Sequence, residues 1–392
     1  MALYPYLIIG GGMAARAAID GVRAYDPDSL IGVVGAESFP PYKRPTLTKG
    51  LWRGTRMEEI WLDMAPNDGE IVWHLGSPVV TVDSTTHQVI TEGGGSFQYS
   101  RLLLATGGRP QMFAGSGTAV FYPVSLAEHI RLSRALANGD HRILVIGGGF
   151  IGSEMAAALA TAGHRVVWAM LESDPFANRF PSVLSNQLRA TYEAHGVEIV
   201  PNFAVNRIEE GDGPVAVQAN GRIITADLAV VGIGFVPNDD LGRPLGLVST
   251  ARGIAVDRYG QTKDMDIFAA GDVARIAGAS HISMHEDQAL VHGRLVGSNM
   301  AGARLPYHYM PFYYSDLFDW GYEAIGDINM RHTVIEDWVV PGQEGVLYYL
   351  DGGHLVGVLN WNVWDGISTA RALLIEERVW EPQELKDRIR NV

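Results

Sequence analysis

Cysteine is absent from the 392-residue sequence. Its absence excludes disulfides, thiolate metal sites, cysteine nucleophiles and any redox-active Cys-x-x-Cys pair within these residues. Any redox chemistry would therefore have to be carried by bound cofactors.

Charge and long apolar runs are also scarce. Charged residues make up 19% of the sequence, and their formal net charge of −14 makes nucleic acid and anionic membranes poor partners.

No apolar run approaches the length of a membrane span. The N-terminal apolar run lacks a preceding basic segment, so we expect no signal peptide and a cytoplasmic protein. The 47% of apolar residues and the chain length predict two or three domains with sizeable cores.

The N-terminal stretch, residues 7–15, reads LIIGGGMAA, which predicts a buried strand, a tight glycine turn and the start of a helix. This is a G-x-G-x-x-G/A dinucleotide fingerprint, in which the phosphates lie at the helix N-terminus. The candidate cofactor-binding residues here are Gly10, Gly12, Met13, Ala14 and Ala15.

An acidic residue follows this fingerprint at a suitable distance. The second strand is predicted over residues 30–34, and Glu37 comes 25 positions after Gly12. That spacing favours a carboxylate that binds the ribose of the dinucleotide, although a solvated acid in a turn is the alternative.

Two further stretches indicate contacts with a cofactor. Residues 39–49, FPPYKRPTLTK, form a basic, proline-rich loop that either neutralises a diphosphate or bonds flavin acceptor atoms, or is simply exposed. Residues 99–110, YSRLLLATGGRP, predict an apolar strand whose end allows a close approach of the backbone at Ala105, Thr106 and Gly107.

A second fingerprint appears in residues 142–154, RILVIGGGFIGSE. Gly147, Gly149 and Gly152 take the three glycine positions, and Glu172 follows Gly152 by 20 positions. One such match is a weak signal, but two in one chain, each followed by an acid, strongly favour two dinucleotide sites.

The rest of the chain alternates strands with two helices. Asp272 directly follows a strand–glycine turn, and from residue 306 the composition shifts to aromatics, which indicates a third, α+β domain. The predicted elements are a β-meander over 79–95, hairpins over 197–233, strands over 226–236, 345–349 and 355–360, and helices over 284–300 and 366–377.

Three histidines, His281, His285 and His292, cluster loosely in this region. No carboxylate triad accompanies them in the sequence, so we interpret them as surface or packing residues and expect no metal site.

Taken together, these motifs resemble the ferredoxin-reductase type of pyridine-nucleotide oxidoreductases, nearest to apoptosis-inducing factor and its bacterial relatives. The resemblance covers essentially the whole chain. It is carried by both fingerprints, PYKRPTLTKGLW, LLLATGGRP, VVGIGFVPN, IFAAGDVA, YYSDLFDWGYEAIG and GVLNWNVWDGISTARALL.

The resemblance implies an α/β fold with two Rossmann-like, glutathione-reductase-like domains and a C-terminal α+β domain. It places a discontinuous FAD domain at 1–113 and 239–304, an NAD domain at 114–238 and the C-terminal domain at 305–392. FAD is expected on the first fingerprint and NADH on the second.

Individual roles also follow from the resemblance. Glu37 is expected on the FAD ribose, Arg44 and Lys49 near the diphosphate and isoalloxazine, and Asp272 on the ribitol–diphosphate segment. Lys49 is expected to pair with Glu154 beside flavin N5, where both residues would orient and polarise the nicotinamide and the flavin. The alternative is that Lys49 and Glu154 are two separate surface charges. The remaining cofactor-binding candidates are Val80, Phe150, Ile151, Gly234, Gly271, Glu286, Asp287 and Ala289.

Glu172 would bind the ribose of the nicotinamide cofactor and repel a 2′-phosphate, which predicts NADH over NADPH. Arg179 opposes this prediction, because an arginine can accept that phosphate. The chain also departs from the resembled pattern at Glu286, where Trp or His is common, and at Tyr314, where Trp is common. Residues 122–125 lack an arginine often found there, which puts nicotinamide affinity in doubt.

Two functions remain open at this point. One is an NADH-dependent flavoprotein that passes electrons to a ferredoxin-, rubredoxin- or quinone-type acceptor. The other is a redox-responsive binding protein, similar to apoptosis-inducing factor, with slow turnover and a stable charge-transfer complex. A homodimer is possible under either function.

Overall fold

The computed structural model describes residues 2–63, 71–114, 117–137, 139–209, 215–219, 221–249, 252–278 and 284–389. Among these residues, no helix is both long enough and apolar enough to cross a membrane.

The described residues form seven α-helices and 24 strands. The helices are α1 Met13–Arg23, α2 Leu126–Leu136, α3 Phe150–Thr161, α4 Ser182–Ala194, α5 Glu286–Met300, α6 Ile367–Ile375 and α7 Pro382–Leu385. The first twelve strands are β1 Ala2–Ile9, β2 Ile31–Val34, β3 Ile71–His74, β4 Val79–Asp83, β5 Gln88–Thr91, β6 Ser96–Leu104, β7 Gly108–Pro110, β8 Val120–Phe121, β9 Arg142–Ile146, β10 Arg165–Ala169, β11 Glu198–Val200 and β12 Val205–Glu209. The others are β13 Val215–Ala219, β14 Arg222–Ala226, β15 Leu228–Val231, β16 Phe235–Pro237, β17 Ile254–Val256, β18 Ile267–Ala269, β19 Ala274–Ile276, β20 Phe312–Leu317, β21 Trp320–Gly326, β22 Thr333–Val340, β23 Glu344–Asp351 and β24 His354–Trp361.

The chain divides into two compact units. Unit 1 comprises Met1–Arg44, Arg56–Arg109 and Phe235–Pro311, and unit 2 comprises Pro45–Thr55, Pro110–Gly234 and Phe312–Val392. The short segment Pro45–Thr55 thus belongs to unit 2, although the residues on both sides of it in the sequence belong to unit 1.

Unit 1 is built on a seven-stranded sheet with the order β3-β2-β1-β6-β5-β4, and β18 also pairs with β6. Strands β3, β2, β1, β6 and β18 run parallel, whereas β5 pairs antiparallel with β4 and β6. The central strands are apolar on both faces because helices and other strands cover them, as is usual for parallel sheets. Leu7, Ile8 and Leu103 have no exposed surface.

Small residues bring α1 and α5 close together in unit 1. A Cβ built on Gly293 would lie 2.4 Å from the carbonyl oxygen of Ala14, and one on Gly297 would lie 2.0 Å from that of Ala18. Because only glycine permits this approach, α5 fixes the position of α1, whose N-terminus carries the first fingerprint.

Unit 2 contains a parallel sheet with the order β11-β10-β9-β15-β8 and a separate antiparallel sheet formed by β12, β13 and β14. Helix α3 follows β9 through the second fingerprint and packs on β10. Its residues Met155 and Leu159 are fully buried.

The aromatic end of the chain forms an antiparallel sheet with the order β20-β21-β24-β23-β22. It shares one hydrophobic core with the parallel sheet of unit 2, in which Phe180, Tyr322 and Trp361 meet at ring-centroid distances of 5.3–6.1 Å. The three-domain division expected from the sequence stays a prediction.

Two predicted elements differ in detail from the observed ones. The apolar run over 226–236 holds the last residue of β14, all of β15 and the start of β16. Gly234, between β15 and β16, adopts a φ of +112°, outside the β region. The aromatic region holds three more strands than the sequence indicated, β20, β21 and β22, while β23 and β24 match the two that were predicted.

Candidate active site

The first dinucleotide cradle lies in unit 1, between β1 and α1. Gly10 has a φ of +115°, and a Cβ built there would lie 2.1 Å from the carbonyl oxygen of Ala105. Gly12 caps α1, and among the described residues a Cβ there would approach only Nη2 of Arg44, at 3.9 Å. The start of α1 therefore leaves room for an anion such as a diphosphate. The three residues that follow, all buried, are Met13, Ala14 and Ala15.

Glu37 follows β2 and has donors on both carboxylate oxygens. The Tyr42 hydroxyl donates to Oε2 at 2.7 Å, and the Arg44 guanidinium donates to Oε1. Cζ of Arg44 also lies 5.1 Å from the ring centroid of Tyr42. Tyr42 is 3% exposed and was not among the predicted site residues; its only signal was its place in the basic loop. The role of Glu37 on the FAD ribose stays a prediction.

Asp272 lies in the turn after β18, and its Oδ1 has no accessible surface and no hydrogen-bond partner in the described part of the chain. Burial raises the pKa of Asp272 to about 6, and the positive charge of Arg44 opposes this rise. A buried acceptor without a donor fits a polyol hydroxyl such as those of a flavin ribitol. The residues of this cradle therefore fit FAD.

His292 holds the turn that carries Asp272. The backbone N–H of Gly271 donates to Nδ1 of His292 at 3.3 Å, and the imidazole ring is fully buried, 5.0 Å from the ring of Tyr307. Burial lowers the pKa of His292 to about 4, so this imidazole accepts the bond in its neutral form. His292 is thus a packing residue; His285 precedes α5, and His281 lies outside the described residues.

The end of β6 is held by reciprocal hydrogen bonds within unit 1. The Thr106 hydroxyl donates to the carbonyl oxygen of Asn238 at 2.7 Å, and the Asn238 amide donates back to the carbonyl oxygen of Thr106 at 2.9 Å. The backbone N–H of Asn238 donates to Gly107. These bonds fix the backbone of Thr106 and Gly107, and the backbone N–H of Ala105 donates to the carbonyl oxygen of Ile9 at 2.8 Å. The sequence predicted a close approach to a cofactor at these three residues.

The second cradle lies in unit 2, between β9 and α3, and repeats the geometry of the first. Gly147 has a φ of +120°, and a Cβ there would lie 2.2 Å from the carbonyl oxygen of Gly232. A Cβ on Gly152 would lie 1.9 Å from the carbonyl oxygen of Gly147. Gly149 caps α3, and in the described chain no atom lies within 4 Å of a Cβ built there. Phe150 and Ile151, the next two residues, are partly buried.

Glu172 follows β10 and lies against the middle glycine of the second fingerprint. A Cβ on Gly148 would lie 2.2 Å from Oε2 of Glu172, an oxygen that is buried without a hydrogen-bond partner among the described residues. An acceptor in this state fits a ribose hydroxyl, and its charge would repel a phosphate on the same ribose. The second cradle therefore fits a nicotinamide dinucleotide.

Arg179, which the sequence left as a possible phosphate ligand, is engaged within unit 2. Its Cζ lies 5.1 Å from the ring centroid of Phe150, and its carbonyl oxygen accepts a hydrogen bond from Tyr349 at 2.7 Å. Burial raises the pKa of Tyr313 to about 12, while the charge and a hydrogen bond of Arg179 oppose the rise. The guanidinium is thus directed at aromatic side chains.

Lys49 and Glu154 form the ion pair that the resemblance implied. Nζ of Lys49 lies 3.1 Å from Oε1 of Glu154, and their side chains are 14% and 6% exposed. Nζ also lies 4.6 Å from the ring centroid of Tyr314, which covers the ammonium group with an aromatic face. The geometry of the pair is confirmed; its place beside flavin N5 stays a prediction.

Two hydroxyls that the sequence did not single out also bind Glu154. Thr48 donates to Oε2 at 2.5 Å, and Ser315 donates to Oε1 at 2.7 Å. Thr48 directly precedes Lys49, and Ser315 lies in the YYSDLFDW stretch of β20.

The segment Pro45–Thr55, which carries Thr48 and Lys49, has one further side-chain hydrogen bond within itself and one to another strand of unit 2. The Trp52 indole N–H donates to the carbonyl oxygen of Leu47 at 2.8 Å, and Arg53 donates to the carbonyl oxygen of Asp316 at 3.0 Å. The second bond joins this segment to β20, the strand that carries Ser315.

The other predicted contact residues lie in separate places, and their roles stay predictions. Val80 is 54% exposed at an irregularity of β4, and Gly234 lies in the turn between β15 and β16. Glu286 and Asp287 occupy the first turn of α5, where Tyr309 donates to Asp287 at 3.0 Å. Ala289 lies on α5 near the Gly271 turn.

Comparison with known proteins identifies the family. Residues 4–293 match the family described as pyridine nucleotide-disulphide oxidoreductase. The ferredoxin–NAD(+) reductase component of the anthranilate 1,2-dioxygenase system of Burkholderia cepacia is 30% identical, covering 99% of this chain and 98% of that protein. Apoptosis-inducing factor 1 of Dictyostelium discoideum is 27% identical, covering 96% and 79%. The crystal structure of the covalent putidaredoxin reductase–putidaredoxin complex matches with a TM-score of 0.87 and 26% identity, covering 99% and 96%.

The chain belongs to the pyridine nucleotide-disulphide oxidoreductase family. It is an NAD(P)H-dependent flavoprotein oxidoreductase with an α/β fold of Rossmann-like domains. The predicted resemblance, fold class and enzyme class are confirmed. The absence of cysteine from its sequence separates it from members of the family that use a redox-active disulfide.

Proposed function

We propose that this protein is an FAD-dependent NADH oxidoreductase that passes electrons to a small ferredoxin-type protein. The observation that carries the proposal is the presence of two phosphate cradles with nearly identical glycine geometry, at Gly10 and Gly147, each followed by an acid. Two cradles suit two dinucleotides, and a chain without cysteine leaves the bound flavin to accept and release the electrons.

The residues of unit 1 would hold the flavin, whose chemistry is to accept a hydride and release electrons singly. The start of α1 and Arg44 would bind the diphosphate, Glu37 the adenosine ribose, and Asp272 a ribitol hydroxyl. None of these side chains needs to act as a nucleophile.

In unit 2, the start of α3 would bind the diphosphate of NADH, and Glu172 would accept hydrogen bonds from its ribose. The unpartnered oxygen of Glu172 and the aromatic engagement of Arg179 support NADH over NADPH. We assign the Lys49–Glu154 pair to orienting the nicotinamide and polarising the reacting site.

The acceptor is proposed from the relatives. The names of the Burkholderia reductase component and of the putidaredoxin reductase complex both refer to small electron-transfer partners. This supports a ferredoxin-type protein over a quinone-type acceptor.

An anaerobic absorption titration tests the proposal. The purified protein should show a flavin spectrum that bleaches with NADH at much lower concentration than with NADPH, and stopped-flow mixing with ferredoxins should restore the oxidised spectrum rapidly. A protein without flavin, or one that prefers NADPH by kcat/KM, would contradict it. Slow reduction with a stable long-wavelength band would favour the redox-sensor function instead.

A further inference from the structure

We propose that Thr48 and Ser315 are positioning residues that lock Glu154 onto Lys49 and thereby set the rate at which the enzyme takes up hydride. The kinetic part of this inference rests on the proposed function, whereas the structural part concerns unit 2 alone.

The two hydroxyls complete the hydrogen bonding of a buried carboxylate. Oε1 of Glu154 receives Lys49 at 3.1 Å and Ser315 at 2.7 Å, and Oε2 receives Thr48 at 2.5 Å. Glu154, Thr48 and Ser315 are 6%, 4% and 0% exposed. A carboxylate buried to this degree needs such donors, because water is not at hand to replace them.

The other groups that face Glu154 do not replace the two hydroxyls as hydrogen-bond donors. Besides Lys49, those in the described part of the chain are the buried phenols of Tyr192 and Tyr322, whose pKa values are raised mainly by burial and further by the charge of Glu154. The Tyr192 hydroxyl donates to the carbonyl oxygen of Ser153, so its proton is directed away from the carboxylate. Thr48 and Ser315 are therefore the neutral donors that stabilise the charge.

The direction of the Thr48 hydroxyl proton is well defined, and the segment that carries Thr48 is tied to the strand that carries Ser315. Thr48 lies 3.5 Å from the carbonyl oxygen of Pro45 but only 2.5 Å from Glu154, so the shorter contact takes its single proton. The neighbour of Ser315, Asp316, uses its carbonyl oxygen to hold Arg53 of the segment that carries Thr48. Three chain segments of unit 2 thus converge on one carboxylate.

Fixing the Glu154 carboxylate also fixes the position of the Lys49 ammonium group. With both carboxylate oxygens fixed, the ammonium group of Lys49 is held in one place between Glu154 and the ring of Tyr314. If a hydroxyl is lost, the carboxylate can rotate, and Lys49 loses its fixed partner.

The kinetic experiment compares Thr48→Val, Thr48→Ser and Ser315→Ala in the flavin-loaded protein. Stopped-flow reduction by NADH should show a limiting rate about tenfold lower in Thr48→Val and in Ser315→Ala, with an unchanged Kd for NADH. Thr48→Ser should restore the rate, because it keeps the hydroxyl. Ser185→Ala is the matched control, since Ser185 is 3% exposed and its hydroxyl donates to the carbonyl oxygen of Phe180 at 3.5 Å, away from Glu154.

A second readout needs neither NADH nor turnover. The sequence has four lysines, at 43, 49, 263 and 386, so acetylation by an amine-reactive ester can be followed at each by peptide mass spectrometry. Lys49 should be acetylated several-fold faster in Thr48→Val and Ser315→Ala than in the wild type, and Thr48→Ser should return to the wild-type rate. The exposed Lys386 should react equally in all of them.

The outcomes separate the two proposals. Unchanged Lys49 acetylation in both variants overturns the positioning role, and faster acetylation with an unchanged reduction rate overturns its kinetic consequence. If the wild type takes up no electrons from NADH while the acetylation pattern still changes as expected, the positioning role is supported and the proposed function fails. Should Ser315→Ala not fold, as judged by its melting curve, the Thr48→Val and Thr48→Ser pair decides.

Discussion

The two cradles have the same backbone but differ in the side chains that face them. Gly10 and Gly147 have φ values of +115° and +120°, and a Cβ on either would strike a carbonyl oxygen at 2.1 or 2.2 Å. In the first cradle Arg44 lies near Gly12, and Glu37 has two donors. In the second, no side chain in the described chain approaches Gly149, and one oxygen of Glu172 has no partner.

The difference separates a resident cofactor from an exchangeable one. A cation already placed near the start of α1 and a carboxylate already oriented by two donors reduce what binding must reorganise, which favours tight retention. A cradle in which the neighbouring cation, Arg179, is directed at aromatic side chains holds a dinucleotide mainly by backbone N–H groups and one acid, which favours release after each turnover. We therefore expect FAD to stay bound and the nicotinamide cofactor to exchange.

The largest expected effect comes from removing the cation of the first cradle. Arg44→Met should weaken FAD binding on the order of a hundredfold, since a charge-assisted contact to phosphate and to Glu37 is lost. The ratio of flavin to protein absorbance after gel filtration measures this loss. Arg294→Met is the control, because Arg294 forms an exposed ion pair with Asp20. Full flavin retention in Arg44→Met would contradict the comparison.

The second expected effect concerns pH and the buried acid of the first cradle. Because the pKa of Asp272 rises to about 6 in the folded protein from 3.8, its contribution to stability is fully present below about pH 4 and is lost as the pH rises through 6. In flavin-free protein, this loss should amount to about 3 kcal/mol of the free energy of unfolding. Asp272→Asn should remove it, as measured by urea unfolding from pH 4 to 8. If the free energy of unfolding changed equally with pH in the wild type and in Asp272→Asn, Asp272 would ionise as readily in the folded protein as in water.

A third expected effect concerns the unpartnered acid of the second cradle. Glu172→Gln should raise the KM for NADH about tenfold. It should also reduce the preference for NADH over NADPH, because the charge that repels a 2′-phosphate is gone. Flavin content should not change. Glu198→Gln, at a 62% exposed acid paired with Arg142 at 3.4 Å, is the matched control. If KM for NADH stays constant, Glu172 does not bind the ribose.

The sequence was sufficient for features that depend on neighbouring residues. Glycine turns, the strands and helices around them and the acids at their fixed distances follow from local patterns, and the resemblance supplied the Lys49–Glu154 pair. It was insufficient for contacts between distant segments. Thr48 and Ser315 reach Glu154 across 106 and 161 positions, and no local pattern marks a hydroxyl for such a contact. The strands β20, β21 and β22 were missed because they gain their stability from packing on a shared aromatic core.

The smallest expected effect separates the two donors of Glu37. Tyr42→Phe removes the hydroxyl bond to Oε2 but leaves Arg44 on Oε1, so FAD binding should weaken only about fivefold, because Arg44 still orients the carboxylate. Tyr6→Phe, which removes a hydroxyl bond to Asp26 elsewhere in unit 1, controls for the loss of a phenol. If Tyr42→Phe weakened FAD binding as much as Arg44→Met does, the orientation of the Glu37 carboxylate, and not the cation, would distinguish the first cradle from the second.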